Sequence, residues 1–135
     1  MTYAIDPELV PMLEFLPDIA LEDPVAARAG FGGIIEQMNA ELDQSGVEIE
    51  NLSIAGQSGA PELAIRVYSP TDKADSVPAL LYIHGGGFVI GTLESEHGKC
   101  LALCRDLGIV LVSVGYRKAP ETPFPGGLED CYAAL

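Results

Sequence analysis

The stretch Pro78–Phe88, PALLYIHGGGF, decides the fold. Residues 78–83 are a continuous apolar run of strand length, which is typical of a strand in a sheet covered on both faces. His84 and three successive glycines follow at once. Glycine adopts positive φ at little cost and leaves the neighbouring amides uncovered, so the chain can turn sharply here and present N–H groups to a ligand. The sequence predicts a buried strand that ends in a ligand-facing loop; a glycine-rich turn that binds nothing is the alternative.

A second strand follows after one helix. Residues 93–107 predict a helix, Gly108 is a suitable C-cap, and residues 109–114 form another apolar strand. Strand, helix and strand make a βαβ unit with a parallel pair. The predicted apolar face of the helix comprises Leu93, Cys100, Leu101, Cys104 and Leu107. A loop over residues 116–127 and a further helix from Leu128 complete this part.

The chain before this unit changes period. Apolar residues alternate in 47–54 and 63–68 on either side of a Gly/Pro turn, which predicts a hairpin. Residues 7–16 and 24–43 instead have helical spacing, and Asp6 and Asp23, each followed by proline, are suitable N-caps. We therefore expect an α/β fold in which residues 1–45 are helical and residues 46–135 form a sheet with its helices.

Composition narrows the class of partner. The 135 residues are 48% hydrophobic and carry 20 acidic against 7 basic residues, for a formal charge of −13. A chain of this length buries roughly 68% of its unfolded surface, enough for one core. Binding to nucleic acid or to an anionic membrane needs clustered Lys and Arg, so neither partner is expected.

Cysteine usage bears on the compartment. The three cysteines have no secreted-scaffold spacing, no leader-like segment opens the chain, and the longest apolar runs are too short to cross a bilayer. We expect a cytoplasmic protein without membrane insertion.

Three segments in order carry a family resemblance. Residues 84–91 (HGGGFVIG), 116–125 (YRKAPETPFP) and 129–135 (EDCYAAL) resemble the hormone-sensitive-lipase family of α/β-hydrolases, microbial esterases that cleave carboxylic esters of modest acyl length. The resemblance spans roughly residues 45–135. It implies the N-terminal portion of the α/β-hydrolase core, truncated before the nucleophile elbow, with residues 1–45 as the cap helices by position.

The resemblance also implies site residues. Gly85, Gly86 and Gly87 fall on the family's oxyanion-hole loop, and His84 on the residue that positions this loop rather than on the general base. Gly115 and Lys118 stand where the family usually has Asp and Leu. The substrate would be a small carboxylic ester, with no cofactor. Residues that could line its pocket, each with ordinary core packing as the alternative, are Phe88, Met12, Phe15 and Phe31.

No serine elbow accompanies the loop. An α/β-hydrolase needs a serine in GxSxG and then an acid and a histidine, and neither Ser58, Ser113 nor any other serine has both glycines. A triad in the right order would resemble Ser58, Asp75 and His97, with its serine in a hairpin turn. The resemblance places nucleophile, acid and base beyond Leu135, so this chain alone is predicted to be inactive.

Other kinds of site are less well supported. His97, Cys100 and Cys104 share one helical face and could bind a metal, but cysteine is often buried and the same face carries leucines, so core packing is the preferred interpretation. The glycine loop lacks the spacing and the lysine of a phosphate-binding loop. We expect neither metal nor nucleotide.

A different functional class remains open. In the family the strand order resembles 1-2-4-3-5, which leaves strand 78–83 at a sheet edge in this chain. An unpaired apolar edge favours self-association or pairing with a second chain. The alternative to an esterase portion is therefore a catalytically inactive fragment or binding module.

Overall fold

The structure, a computed structural model, describes residues 4–13 and 22–135. Its elements in chain order are α1 (Val10–Leu13), α2 (Pro24–Asn39), β1 (Val47–Ile54), β2 (Leu63–Pro70), β3 (Ala79–Ile83), α3 (His97–Leu107), β4 (Val110–Val114) and α4 (Gly126–Ala133). A short 3₁₀ turn, Gln57–Gly59, joins β1 to β2. None of the helices within residues 4–13 and 22–135 has the length and hydrophobicity of a membrane-spanning segment.

The sheet has four strands in the order β1-β2-β4-β3. β1 pairs antiparallel with β2, and β2 pairs antiparallel with β4, whereas β3 and β4 are parallel. Helix α3 makes the crossover that a parallel pair requires. The predicted hairpin and βαβ unit are confirmed, and with them the α/β fold class.

Two hydrophobic clusters lie on opposite faces of this sheet because successive strand residues point to opposite sides. Under α3 the cluster contains Val47, Tyr68, Cys100, Leu101, Cys104 and Leu111. Under α4 it contains Leu63, Ile65, Val114, Tyr116 and Cys131. The second cluster supports the loops that follow β3 and β4.

Strand β3 differs from the prediction of burial on both faces. It occupies one edge of the described sheet, and Leu80 and Ile83 are exposed. Among the described residues its partner is β4 alone, so half of its backbone has no neighbouring strand. The predicted sheet edge is present, and the predicted burial is wrong.

Helix α2 begins where predicted and ends earlier. Asp23 Oδ1 accepts hydrogen bonds from the amides of Val25 and Ala26, and Pro24 occupies the first turn. The helix ends at Asn39 instead of residue 43 because Asp43 forms a turn of its own, accepting from the Ser45 amide at 2.9 Å. Its glycines do not interrupt it. The first predicted helix, 7–16, is observed as Val10–Leu13, and residues 14–16 lie outside the described ranges.

Helices α3 and α4 also differ at their starts. Thr92 and Ser95 close a turn, since the Thr92 amide donates to Ser95 Oγ at 2.8 Å, and α3 then begins at His97. Leu93 therefore lies outside the helix, and Leu107 is 61% exposed instead of sharing the buried face. Gly108 adopts φ of 63° and caps α3 as predicted. Helix α4 begins at Gly126, two residues before the predicted start.

Candidate active site

The loop after β3 turns sharply through residues 84–91. Gly86 has φ of 126°, Gly87 of 59° and Gly91 of 91°, and Phe88 is the one non-glycine residue of the described chain with positive φ, at 64°. A Cβ at Gly86 would collide with the carbonyl of Ile90. The glycines are therefore needed for the shape of the loop, whatever the loop binds.

Three consecutive peptide groups of this loop have their carbonyl oxygens held. The His84 carbonyl accepts from the Tyr116 hydroxyl at 2.8 Å. The Gly85 carbonyl accepts from His84 Nδ1 at 2.8 Å. The Gly86 carbonyl accepts from the amides of Val89 and Ile90, at 3.1 and 3.0 Å.

Holding a carbonyl also orients the amide of the same peptide group. In a planar trans peptide the N–H points opposite to the C=O, so these hydrogen bonds orient the amides of Gly85, Gly86 and Gly87. Within the described ranges these three amides have no hydrogen-bond acceptor. The loop thus presents oriented, unused donors.

His84 is buried at the base of this loop. Its ring stacks on the ring of Tyr116, with centroids 4.2 Å apart. Burial lowers the pKa of its imidazole, the hydrogen bond to Gly85 opposes this shift, and nearby Lys118 adds to it. Nδ1 carries the proton, because a carbonyl oxygen can only accept. A neutral, buried ring engaged with its own loop is better suited to positioning, the role that the family resemblance implies for His84, than to proton transfer.

The loop after β4 holds His84 and the glycine loop in place. Tyr116 supplies the stacking ring and the hydroxyl, and Gly115 donates its amide to the carbonyl of Ala64 at 2.9 Å. The Lys118 ammonium lies 5.9 Å from the Tyr116 ring centroid. Gly115 and Lys118 stand where the resembling family usually has Asp and Leu. The Tyr116 contacts form in spite of these two differences.

An ion pair joins the same loop to α4. Arg117 Nε and Nη2 donate to the carboxylate of Asp130, whose side chain is 1% exposed, and the Arg117 amide donates to Asp130 Oδ2 at 2.8 Å. Burial raises the pKa of Asp130, but the hydrogen bonds from Arg117 outweigh it, and the pKa lies below its ordinary value. Asp130 is therefore a charged anchor for this loop.

Arg28 was missed by the sequence interpretation. It lies in α2, donates to backbone carbonyls of both loops and pairs with Glu121. Its signal in the sequence is its isolation as the one basic residue among positions 1–50.

Among the described residues, two of the cavities border the loop. One, of about 140 Å³, is lined by Phe31, Gly85, Gly86, Ile90, Gly91, Ser95 and Glu96. The other, of about 470 Å³, has mostly apolar walls formed by Gly87, Phe88, Arg117, Ala119, Thr122, Phe124, Pro125, Gly127 and Leu128. Glycine backbone thus borders both.

The predicted pocket residues have different outcomes. Phe31 lines the smaller cavity, and Phe88 lines the larger one with 76% of its surface exposed. Met12 belongs to α1, but its side chain lies outside the described part, as does the whole of Phe15. The substrate-pocket roles of all four residues remain predictions.

The other constellation considered from the sequence lies within the core. His97 is buried with Nδ1 2.8 Å from the Tyr68 hydroxyl, and Cys100 and Cys104 are free, buried cysteines in the cluster under α3. In the described ranges no three His, Cys, Asp or Glu side chains are grouped to hold a metal ion. The contacts of His97 and both cysteines are those of core residues.

The chain is similar in sequence to known proteins of one family. A family model described as an alpha/beta hydrolase fold matches residues 80–135. The carboxylic ester hydrolase LipN of Mycobacterium tuberculosis is 40% identical over 114 residues, which are 84% of this chain and 29% of LipN. The carboxylesterase NlhH of the same organism is 34% identical over 137 residues, covering 96% of this chain and 41% of NlhH.

Solved structures agree with the sequence relatives. A bacterial heroin esterase superposes with a TM-score of 0.91 at 47% identity, over 97% of this chain and 41% of that one. An esterase of Pyrobaculum calidifontis superposes with a TM-score of 0.77 at 36% identity, over 96% and 41%. The chain spans less than half the length of each of these relatives.

Proposed function

Because the chain belongs to the hormone-sensitive-lipase family of α/β-hydrolases, we propose that it forms the oxyanion-hole portion of a carboxylic-ester hydrolase. The observation that carries this proposal is the set of three consecutive peptide groups with anchored carbonyls and unused amides at Gly85, Gly86 and Gly87. Donors fixed before the reaction begins need no reorganisation when charge develops.

The chemistry follows from where the charge appears. When a serine oxygen attacks the ester carbonyl, the C=O electron pair moves onto the oxygen and a tetrahedral oxyanion forms; its collapse expels the alcohol and leaves an acyl-enzyme that water hydrolyses. Amides aimed at that oxygen bind the transition state better than the substrate. Each such donor typically contributes about 2.7–4 kcal/mol.

The proposed substrate is a small carboxylic ester whose acyl or alcohol group occupies the apolar space beside the loop. Phe88 contributes to the larger cavity and Phe31 to the smaller one. The bulk of these rings would restrict the length of the group accepted.

The nucleophile, acid and base are proposed to come from outside residues 1–135. No serine of the chain lies in GxSxG. Of the two histidines, His84 is engaged with Gly85 and Tyr116, and His97 with Tyr68. The chain alone is therefore proposed not to turn over esters.

A hybrid enzyme tests this proposal. Residues 1–135 would replace the matching part of the bacterial heroin esterase, whose remaining residues are proposed to supply the other catalytic groups. We expect hydrolysis of a short-chain nitrophenyl ester by the hybrid and only background hydrolysis by residues 1–135. Gly86→Ala keeps the amide N–H, but its Cβ would collide with the Ile90 carbonyl and displace the loop. We therefore expect kcat of the hybrid to fall by about 100-fold or more, as when one donor is lost. Gly33→Ala, in open space on α2, is the matched control.

Two results would contradict the proposal. One is a folded hybrid without activity while the parent heroin esterase is active under the same conditions. The other is a Gly86→Ala hybrid as active as the Gly33→Ala hybrid.

The exposed edge of β3 supports a second candidate, a module that pairs with another chain. The edge carries Leu80 and Ile83 and no charged residue. The opposite edge, β1, carries the exposed Glu48 and Glu50. Charged residues protect sheet edges from pairing, so β3 is the edge proposed to associate.

A further inference from the structure

We infer that Arg28 is a positioning residue. It docks helix α2 against the loops after β3 and β4, and through this contact it helps to fix the direction of the Gly87 amide. This inference rests on the proposed oxyanion role of the loop. The contacts that lead to it join Arg28 to residues 61 to 93 positions later in the chain.

The first observation is the place of Arg28 in an acidic segment. Residues 1–50 contain 11 Asp and Glu and one basic residue, Arg28. Its guanidinium reaches Glu121, in the loop after β4, at 2.7 Å from Nη1 and 2.9 Å from Nη2. The hydrogen bonds from Arg28 lower the pKa of the Glu121 carboxyl to about 2, so this pair stays charged over the neutral range.

The second observation is the pair of backbone contacts. Arg28 Nε donates to the carbonyl of Val89 at 2.8 Å, and Nη2 donates to the carbonyl of Ala119 at 2.6 Å. The Ala119 amide in turn donates to the carbonyl of Phe88 at 2.9 Å. One guanidinium therefore joins α2, the loop after β3 and the loop after β4.

The path from Arg28 to the Gly87 amide is short. Arg28 holds the Val89 carbonyl, and the amides of Val89 and Ile90 hold the Gly86 carbonyl. The Gly86 carbonyl belongs to the same planar peptide group as the Gly87 N–H. Releasing Val89 would therefore loosen the turn that orients Gly87.

Arginine suits this task better than lysine. Its planar fork presents five donors in fixed directions and can serve three acceptors at once, whereas an ammonium is a point charge on a flexible stem. Arg28→Lys can keep some of these contacts but not the fixed geometry of all of them.

The test measures amide hydrogen exchange in the 135-residue chain by NMR. In Arg28→Gln we expect the Val89 and Ile90 amides to exchange about tenfold faster than in the parent chain, since hydrogen bonds to charged donors are lost. Rates are compared with that of Val112, in the centre of β4. The Gly87 amide peak should shift, and Arg28→Lys should give an intermediate effect on both.

Arg105 provides the matched control. It also donates to two backbone carbonyls, those of Ser45 and Asp43 at 3.1 and 2.7 Å, but from the last turn of α3. Arg105→Gln should leave the Val89 and Ile90 rates unchanged relative to Val112. Glu121→Gln keeps both carbonyl contacts of Arg28 and should change these rates less than Arg28→Gln does.

Unchanged Val89 and Ile90 exchange in Arg28→Gln, or an equal acceleration in Arg105→Gln, would overturn the inference. If Arg28→Gln does not fold, Arg28→Lys is used instead, and unchanged exchange of the Val89 and Ile90 amides relative to Val112 would again overturn the inference. The readout needs no turnover, so its failure is distinct from failure of the ester-hydrolase proposal, which the hybrid measures.

Discussion

The hydroxyl of Tyr116 donates to the carbonyl of His84 at 2.8 Å while the two rings stack with centroids 4.2 Å apart. Tyr116 follows β4 and His84 follows β3, so the parallel pairing of these strands brings the two residues together. One side chain thus fixes both the ring and the first peptide group of the glycine loop.

Removal of this hydroxyl tests its contribution. Tyr116→Phe keeps the stacked ring and leaves a buried carbonyl without its donor, which we expect to lower the free energy of unfolding by about 1–3 kcal/mol. Urea denaturation followed by circular dichroism measures the change. Tyr132→Phe, on an exposed side chain, is the control and should change stability by less than about 0.5 kcal/mol.

Gly91 is predicted to tolerate no side chain. A Cβ there would collide with the Gly85 carbonyl and with His84 Nδ1, and the φ of 91° disfavours any other residue. Gly91→Ala should destabilise the chain by about 2–3 kcal/mol. Gly33→Ala, with open space in α2, should instead add about 0.5–1 kcal/mol. Equal unfolding midpoints for the two variants would contradict this prediction.

The two histidines are predicted to be opposite tautomers. His84 Nδ1 faces a carbonyl and must carry the proton, whereas His97 Nδ1 lies 2.8 Å from the Tyr68 hydroxyl and 3.4 Å from Arg66 Nη1, which can only donate. We expect His84 protonated on Nδ1 and His97 on Nε2 at pH 7.5. Nitrogen-15 NMR of the imidazole rings distinguishes these forms, and a shared tautomer would show that one of the two hydrogen-bond assignments is wrong.

Both histidines also predict a dependence of stability on pH. Burial is the main cause that lowers the pKa of His84 and of His97 below the ordinary value of 6.5. The unfolded chain then binds more protons than the folded one, so their contribution is fully present above about pH 6.5 and decreases as the pH falls through the lower folded pKa values. Urea denaturation between pH 5 and 8 measures this. Greater stability at pH 5.5 than at pH 7.5 would contradict it.

Asp130 is predicted to be costly to neutralise. Asp130→Asn replaces a buried carboxylate by an amide that cannot accept all of the Arg117 hydrogen bonds, and we expect a loss of about 1.5–3 kcal/mol. Glu129→Gln, an exposed neighbour on the same helix, is the control. Because the folded pKa of Asp130 is lowered, its contribution is present above the unfolded value near 3.8 and is lost below it, so the difference between Asp130→Asn and the parent chain should shrink towards pH 2.

The edge of β3 predicts association of the isolated chain. Ile83 is 52% exposed on a strand with no charged residue, and we expect concentration-dependent oligomers in sedimentation velocity. Ile83→Lys should reduce them, whereas Leu107→Lys, exposed on α3, should not. A parent chain that stays monomeric across the tested concentrations would argue against the pairing module.

The sequence by itself determined the local parts of this protein. Alternation in β1 and β2, the apolar run of β3, the αL cap at Gly108 and the Asp23 cap of α2 each depend on neighbouring residues, so they could be identified without the fold. The glycine motif also identified the sharp turn after β3, because Gly86, Gly87 and Gly91 adopt positive φ there. The positioning role of His84 remains a prediction. A small ester as substrate, the absence of a cofactor and a cytoplasmic location remain predictions.

Tertiary structure decided the exposure of β3 and the contacts that hold the glycine loop, since both depend on groups far apart in the chain. The exposure of β3 follows from its place in the sheet rather than from its own residues. The anchoring of the His84 carbonyl depends on Tyr116, and the contact of α2 with both loops depends on Arg28, 61 residues before Val89. No periodicity or motif links such residues; the pairing of β3 with β4 and the docking of α2 bring them within hydrogen-bond distance.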